Sequence, residues 1–286
     1  MAITAAQVKE LRERTGLGMM DCKKALTEAD GDMELAIDNL RKSSALKAAK
    51  KADRTAADGL LAVKVAEDGK SASMVEINIE TDFAAKNTKF IEFVSRVADG
   101  IFELGSDDIT AIPGIEAERE TLVQEIGENI SLRRAAYVDA GSGTVTHYLH
   151  SDNRKGTLVV LDGGNNELAK DIAMHVTAIN PMVVNQSEVP EAAVAKEREI
   201  AASVAAESGK PPEIVEKMVE GKVRKFLAEV SLLDQPFVKD GNIKVSQLLK
   251  ESSASVTSFV RFEVGEGIEV DDTDFAAEVA AQLGND

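Results

Sequence analysis

Met74-Val75-Glu76-Ile77-Asn78-Ile79-Glu80-Thr81-Asp82-Phe83-Ala84-Ala85-Lys86-Asn87 is the stretch on which the fold turns. Residues 74–79 read as a short strand. Beyond Asn87 the apolar residues fall at Phe90, Phe93, Val94, Val97 and Ile101, which is helical spacing. The period changes from two to 3.6 across 80–87, so an element junction lies there. Thr81 and Asp82 can each cap a helix start by accepting a backbone N–H bond. Phe83 follows them directly, and two readings of it stand. A junction on a rigid scaffold can present a side chain outward. A helix running unbroken from Phe83 would instead put it on the face of Phe90, in the core.

Outward from this junction the same plan occurs twice. Residues 56–140 hold a strand at Leu60-Leu61-Ala62-Val63-Lys64-Val65, a turn at Glu67-Asp68-Gly69-Lys70, the strand 74–79, the helix to about 103, and a strand candidate at 134–138. Residues 141–270 repeat it with a strand at 144–149, a turn through Asn153 to Gly156, a strand at 158–161, a helix carrying Leu168, Ile172, Ala173, Val176 and Ile179, and a strand at 256–262. Each copy predicts antiparallel sheet covered by helix, an α+β architecture. The second copy is interrupted at 188–230 by a Glu-, Ala- and Lys-rich segment with Gly209-Lys210-Pro211-Pro212 at its centre. Glycine ends one helix there and proline opens the next, giving an αα-hairpin with Val194, Ile200 and Val204 facing Ile214, Met218, Val223 and Phe226.

Residues 1–40 read as three short helices. Thr4-Ala5-Ala6-Gln7 has capping-box spacing, Gly16 and Gly18 stop the first helix, and Asp21 and Asp32 can cap the second and third. Cys22, Ala25, Leu26, Leu35, Ala36 and Leu40 are the expected inward residues. The loop Leu17-Gly18-Met19-Met20 carries apolar residues where solvent is expected, either to close the small core or to meet a partner. Residues 41–55 are basic and alanine-containing and read as a solvated linker, with a helical form left open. They lack the interleaved aromatic residues that would stack on bases. Residues 271–286 read as a C-terminal helix opening at Thr273-Asp274-Phe275-Ala276-Ala277, which repeats the pentapeptide 81–85.

The chain has 286 residues and a formal charge of −17, no Trp and one Cys. That length exceeds a typical single core. The charge argues against a general nucleic-acid or anionic-membrane binder, because phosphate contacts need clustered Lys and Arg. No apolar run reaches transmembrane length, no signal peptide is visible at the start, and Cys22 alone cannot make an internal disulfide, so the expectation is a cytoplasmic protein. Enzyme chemistry is sparse. His147 and His150 share an H-x-x-H spacing, but on a strand and its turn they would point to opposite faces. A metal-dependent hydrolase built on them with Asp152 is therefore a weak alternative. No phosphate-binding Gly-x-x-x-x-Gly-Lys-Ser/Thr loop occurs, and no cofactor is expected.

Several blocks, taken in order, resemble the bacterial elongation factor Ts family: Leu11-Arg12-Glu13-Arg14-Thr15-Gly16-Leu17-Gly18-Met19-Met20-Asp21-Cys22-Lys23-Lys24, then Thr81-Asp82-Phe83, Ile172-Ala173-Met174-His175-Val176, Lys217-Met218-Val219-Glu220-Gly221, Gln235-Pro236-Phe237-Val238, and Phe259-Val260-Arg261-Phe262-Glu263-Val264-Gly265-Glu266-Gly267. The resemblance implies a non-enzymatic guanine-nucleotide exchange factor of protein synthesis whose partner is elongation factor Tu, GDP-bound or nucleotide-free. It implies an N-terminal unit of ubiquitin-associated type, a C-terminal module that docks on the same partner, and Thr81, Asp82, Phe83 and Ala84 as the segment that dislodges the partner's magnesium. It further implies partner contacts at Arg12, Met19, Met20 and His150. His150 lies in a turn, His150-Ser151-Asp152-Asn153-Arg154-Lys155-Gly156, one residue longer than the family pattern and without its glycine. A dimer of heterodimers is left open by the resemblance. The alternative is an adaptor that binds a partner through its three-helix unit alone.

Overall fold

The computed structural model describes residues 3–207 and 209–269, and the helix expected over 271–286 lies outside them. Three helices open the chain: α1 (Ala5–Thr15), α2 (Met19–Glu28) and α3 (Met33–Ala49). Thr4 and Gln7 form the expected capping box, and Gly16 ends α1 in the left-handed conformation. α2 starts at Met19, two residues before Asp21, with Gly18 at the cap position, so Asp21 is a first-turn acid rather than the cap. Leu35 also departs from expectation. It is 46% exposed, and Ile37 takes the inward place beside Ala36 and Leu40.

The basic segment 41–55 is helical over most of its length. α3 continues through it to Ala49, and Ala48 is buried in the core of the following subdomain. The alanines and long basic stems of this stretch are strong helix formers, and one of its faces finds apolar cover. Ser44 is buried there and donates to Gln124 Oε1 at 2.6 Å.

Two three-stranded antiparallel sheets follow. The first has the order β1 (Asp58–Val65), β2 (Ser71–Ile79), β3 (Ile130–Asp139), and carries α4 (Asp82–Ala85), α5 (Thr88–Leu104) and α6 (Ile115–Ile126) between β2 and β3. The second has the order β4 (Thr144–Leu149), β5 (Lys155–Asp162), β8 (Ser255–Glu263). Between β5 and β8 lie α7 (Asn166–Ile179), the hairpin α8 (Glu191–Ala206) and α9 (Pro212–Val230), the small ribbon β6 (Pro236–Phe237) with β7 (Asp240–Lys244), and α10 (Val245–Glu251). The repeat extends to detail: a register shift in each sheet leaves one extra residue in the third strand, Arg133 in one and Thr257 in the other.

Alternation along the central strands explains the layering. Val75, Ile77 and Ile79 face α5, while Ala72 and Met74 face the second sheet. In β5, Val159 and Leu161 face α7 while Leu158 and Val160 meet the first sheet. The result is helix, sheet, sheet, helix. The central strands are buried on both faces; in β5 this shows as the apolar run Leu158–Leu161, whereas β2 also buries Ser73, Glu76 and Asn78. Phe90 and Phe93 on α5 are fully buried, and each such side chain contributes about 1.5–3 kcal/mol relative to exposure.

Glu76 shares the inter-sheet face of β2 and is fully buried. Its Oε1 accepts from Arg133 Nη1 at 2.7 Å, from the Gly265 amide at 2.8 Å and from Asn78 Nδ2 at 3.2 Å; its Oε2 accepts from Arg134 Nε at 2.6 Å. The extra residue Arg133 is what lets two consecutive guanidiniums reach one carboxylate. Arg134 also donates to the Glu263 carbonyl and lies 4.3 Å over the Phe262 ring, so the cluster ties the first sheet to the end of β8. Gly265 has φ of +79°, and a Cβ there would stand 2.3 Å from the Ala57 carbonyl oxygen.

In the hairpin, the seam is made by Ala201 and Ala205 against Val219 and Val223, with Val194 and Met218 beside it. Ile200, Val204 and Ile214 are 45–49% exposed, in place of the inward position expected for them. Small alanines let the two helices approach closely, which turns the larger neighbours outward.

His175 on α7 is fully buried. The Val238 amide donates to its Nδ1 at 3.1 Å, so Nε2 carries the proton and donates to Gln235 Oε1 at 2.9 Å. Burial pushes its pKa below the usual histidine value. The unfolded chain therefore binds a proton near pH 6.5 that the native chain refuses, and stability present above that pH falls as pH drops through and below it. Urea unfolding at pH 7.5 and 5.5 should show the wild type losing stability on acidification and His175→Gln losing less. In the same assay, Glu76→Ala should cost about 3–5 kcal/mol at pH 7, the range for breaking a buried ion pair from one side.

Candidate functional site

Phe83 is 82% exposed. Its turn, α4, is one turn of helix that stops at Lys86, and Asn87 starts α5 afresh by accepting the Lys89 amide at 2.9 Å. This break removes Phe83 from the phase of Phe90, so the outward reading holds and the core reading does not. Thr81 caps α4 by accepting the Ala84 amide at 3.2 Å. Ala84 and Ala85 are buried below Phe83 and anchor the turn. Asp82 is exposed, and Lys86 donates to its Oδ2 at 2.8 Å. That bond holds the Asp82 carboxyl below the usual carboxylate range. Lys86 also places its ammonium 5.5 Å from the centre of the Phe83 ring. The turn therefore offers an aromatic ring with an ion pair at its base.

Residues just after α6 support this turn. Glu128 accepts from both the amide and the hydroxyl of Thr81, at 2.9 and 2.8 Å, and Glu80 accepts the Asn129 amide at 2.5 Å. Sequence reading misses Glu128 and Lys86. Lys86 was findable from its i,i+4 spacing to Asp82; Glu128 lies 47 residues away and leaves no local signal.

The N-terminal residues gather on the three-helix unit. Leu17 closes that unit's core at 2% exposure, whereas Met19 and Met20 are 60% and 76% exposed. The two methionines, with Arg12, Val8, Lys9 and Lys23, line an open groove of about 640 Å³ with an apolar floor and a cationic rim. A neighbouring cavity joins Arg12 and Met19 to Gln124 and Glu125 at the end of α6, so the groove and the Phe83 turn flank the same segment.

His150 stands apart from both, in the β4–β5 turn of the second sheet. It is exposed, and its Nδ1 lies 3.3 Å from Tyr148 Oη. Val145 and Leu149 enter the inter-sheet core while Tyr148 joins the α7 side, so by strand alternation His147 and His150 lie on opposite sides. Among the described residues no group of three or more His, Cys, Asp or Glu side chains is placed to hold a metal ion, and no helix is long and apolar enough to cross a membrane.

The family model described as Elongation factor TS matches residues 80–266, starting one residue before Thr81 and ending one residue after Gly265. The chain belongs to the elongation factor Ts family. Among its relatives, the elongation factor Ts of Saccharophagus degradans is 58% identical over 99% of this chain and 98% of its own length. The elongation factor Ts of Hahella chejuensis is 57% identical over 99% of each chain, and that of Teredinibacter turnerae 55% identical over 99% of this chain and 98% of its own. The similarity to these elongation factor Ts chains takes in residues before 80, so it covers the three-helix unit as well as the sheets.

Because Phe83 makes so little contact, Phe83→Ala should change unfolding free energy by no more than about 0.5 kcal/mol. Phe90→Ala should cost about 3–5 kcal/mol. Paired urea titrations of the two variants check this contrast.

Proposed function

We propose that this chain is a guanine-nucleotide exchange factor of protein synthesis acting in the cytoplasm on elongation factor Tu, with no catalytic chemistry of its own. Family membership supports the translational role. The observation that carries the mechanism is Phe83, 82% exposed on a turn held by a cap, two buried alanines and a carboxylate. An aromatic ring held outward in this way loses little conformational freedom on binding and suits insertion into a partner.

A GTPase holds its nucleotide partly through Mg²⁺ bridging phosphate and protein oxygens. A protein that binds the nucleotide-free state more tightly than the loaded one must weaken nucleotide binding by the same factor. In this reading, Phe83 enters the GTPase domain near the magnesium-holding segment, with Thr81 and Ala84 fixing the turn and the Asp82–Lys86 pair facing the partner at the ring's base. Arg12, Met19 and Met20 give a second contact on the same domain, since a methionine-lined groove adapts to an apolar surface. His150, on the second sheet, gives a third contact with another domain. Separated weak contacts on one rigid body add through effective concentration.

The test is release of labelled GDP from elongation factor Tu, with wild type and Phe83→Ala, across a magnesium titration. Phe83→Ala should slow catalysed release by about tenfold or more at millimolar-order Mg²⁺, as expected for a buried interfacial aromatic. The deficit should shrink when a chelator has already removed the ion. Equal rates for the two proteins at every magnesium level would overturn the reading.

A further inference from the structure

We propose that Glu128 is the positioning residue that holds Phe83 outward, and that through its loop the N-terminal unit and Phe83 are set as one rigid body. The inference rests on the exchange reading only for what Phe83 does to a partner.

The geometry begins at Thr81. Its amide donates to Glu128 Oε2 at 2.9 Å and its hydroxyl donates to Oε1 at 2.8 Å. A threonine hydroxyl has one proton. With that proton given to Glu128, the oxygen's lone pairs are left for the Ala84 amide, which donates to it at 3.2 Å. Glu128 thereby orients the cap, and the cap holds the turn. This matters because α4 is four residues long. So short a helix does not stand alone, since nucleation fixes several dihedrals for one bond returned. Phe83 itself adds no anchorage, being mostly in solvent. Bonds to a carboxylate are among the stronger ones available, and Glu128 makes two of them.

The same loop reaches the other way. Gln124 accepts from Ser44 at 2.6 Å, the Gly127 carbonyl accepts from Lys51, and Asn129 Nδ2 donates to the carbonyls of Ala52 and Arg54 at 3.2 and 2.8 Å. One stretch, 124–129, is thus bonded to the end of the N-terminal unit on one side and to Glu80 and Thr81 on the other. The stretch 124–129 therefore links α3 and the residues after it to the turn that carries the ring, by hydrogen bonds on both sides.

The first measurement needs no partner. Amide hydrogen exchange is followed in the full chain, wild type and Glu128→Gln. Glutamine offers a single acceptor oxygen, so one of the two Thr81 donors loses its place. Exchange at the amides of residues 84–87 should rise by about tenfold or more, while β2 and β3 keep their protection. Unchanged exchange at 84–87 would overturn the proposal, and so would a loss of protection spread evenly over the sheet. The second measurement is catalysed GDP release by Glu128→Gln, Phe83→Ala and the double variant. Residues acting as a unit are non-additive: Glu128→Gln should slow release, and adding it to Phe83→Ala should cost nothing more. Additive losses would mean that Glu128 acts elsewhere. Faster amide exchange in Glu128→Gln, together with normal GDP release by Phe83→Ala, would support the hold on the turn and reject the exchange reading. If Glu128→Gln fails to fold, Glu128→Asp, whose carboxylate stands one methylene short of the Thr81 amide and hydroxyl, enters the same two measurements with the Thr81 cap intact.

Discussion

A carboxylate with no solvent contact lies between the two sheets, and the arrangement of the molecule depends on how it is satisfied. Glu76 would be costly to bury alone. Two guanidiniums, a side-chain amide and the Gly265 amide meet its oxygens. Those donors come from β3, from β2 itself and from the turn after β8, so satisfying one charge aligns both halves of the fold. The bulge at Arg133 is part of this solution, since a regular ladder would turn consecutive arginines to opposite faces. Phe262 lies under the Arg134 guanidinium and joins the inter-sheet apolar cluster, so the charged and apolar parts of the seam are continuous.

A rigid seam matters because the exposed features are distributed. Phe83 belongs to the first sheet's helical layer, Met19 and Met20 to the three-helix unit, and His150 to the second sheet. A partner touching all three meets fixed spacings only if the sheets and the N-terminal unit do not move independently. The α3 helix contributes to this by running past the N-terminal core and burying Ala48 among residues of the first subdomain. His175 does a comparable task inside the second subdomain. It brings together α7 and the β6 ribbon through Gln235 and Val238, two segments that are far apart in the chain.

Aromatic usage points the same way. With nine Phe, two Tyr and no Trp, the chain has few large side chains for its cores. Phe90, Phe93, Phe237 and Phe262 are buried, while Phe83 is left 82% exposed above a polar base. An isolated exposed apolar residue is ordinary on a protein surface. Phe83 differs in standing on a turn that is capped by Thr81, seated on two alanines of the core and bonded through Thr81 to Glu128.

Much of the architecture is legible from residues alone. The strand-like stretches at 74–79 and 158–161, helical spacing after each, and the glycine–proline punctuation at 209–212 were enough for two sheet–helix subdomains and an inserted hairpin. These are local signals, set by backbone period and by the conformations glycine and proline favour. The break between α4 and α5 also had a local sign, Asn87, a good cap residue, although spacing alone left Phe83 between core and solvent. What only the tertiary structure decided are matters of which surfaces find cover. α3 extends through 41–49 because a neighbouring core receives Ala48. The hairpin seam falls on Ala201 and Ala205, and not on the larger Ile200 and Val204, because close helix approach favours small residues. Glu76 reads as an ordinary polar position on a half-buried strand until a second sheet closes over it. Glu128 reads as one acid among fifty Asp and Glu; its bonds to Thr81 arise only because the turn after α6 is folded against the end of β2. Period and capping act over a few residues and are written in the local sequence. Burial and long-range hydrogen bonding depend on what the rest of the chain brings alongside.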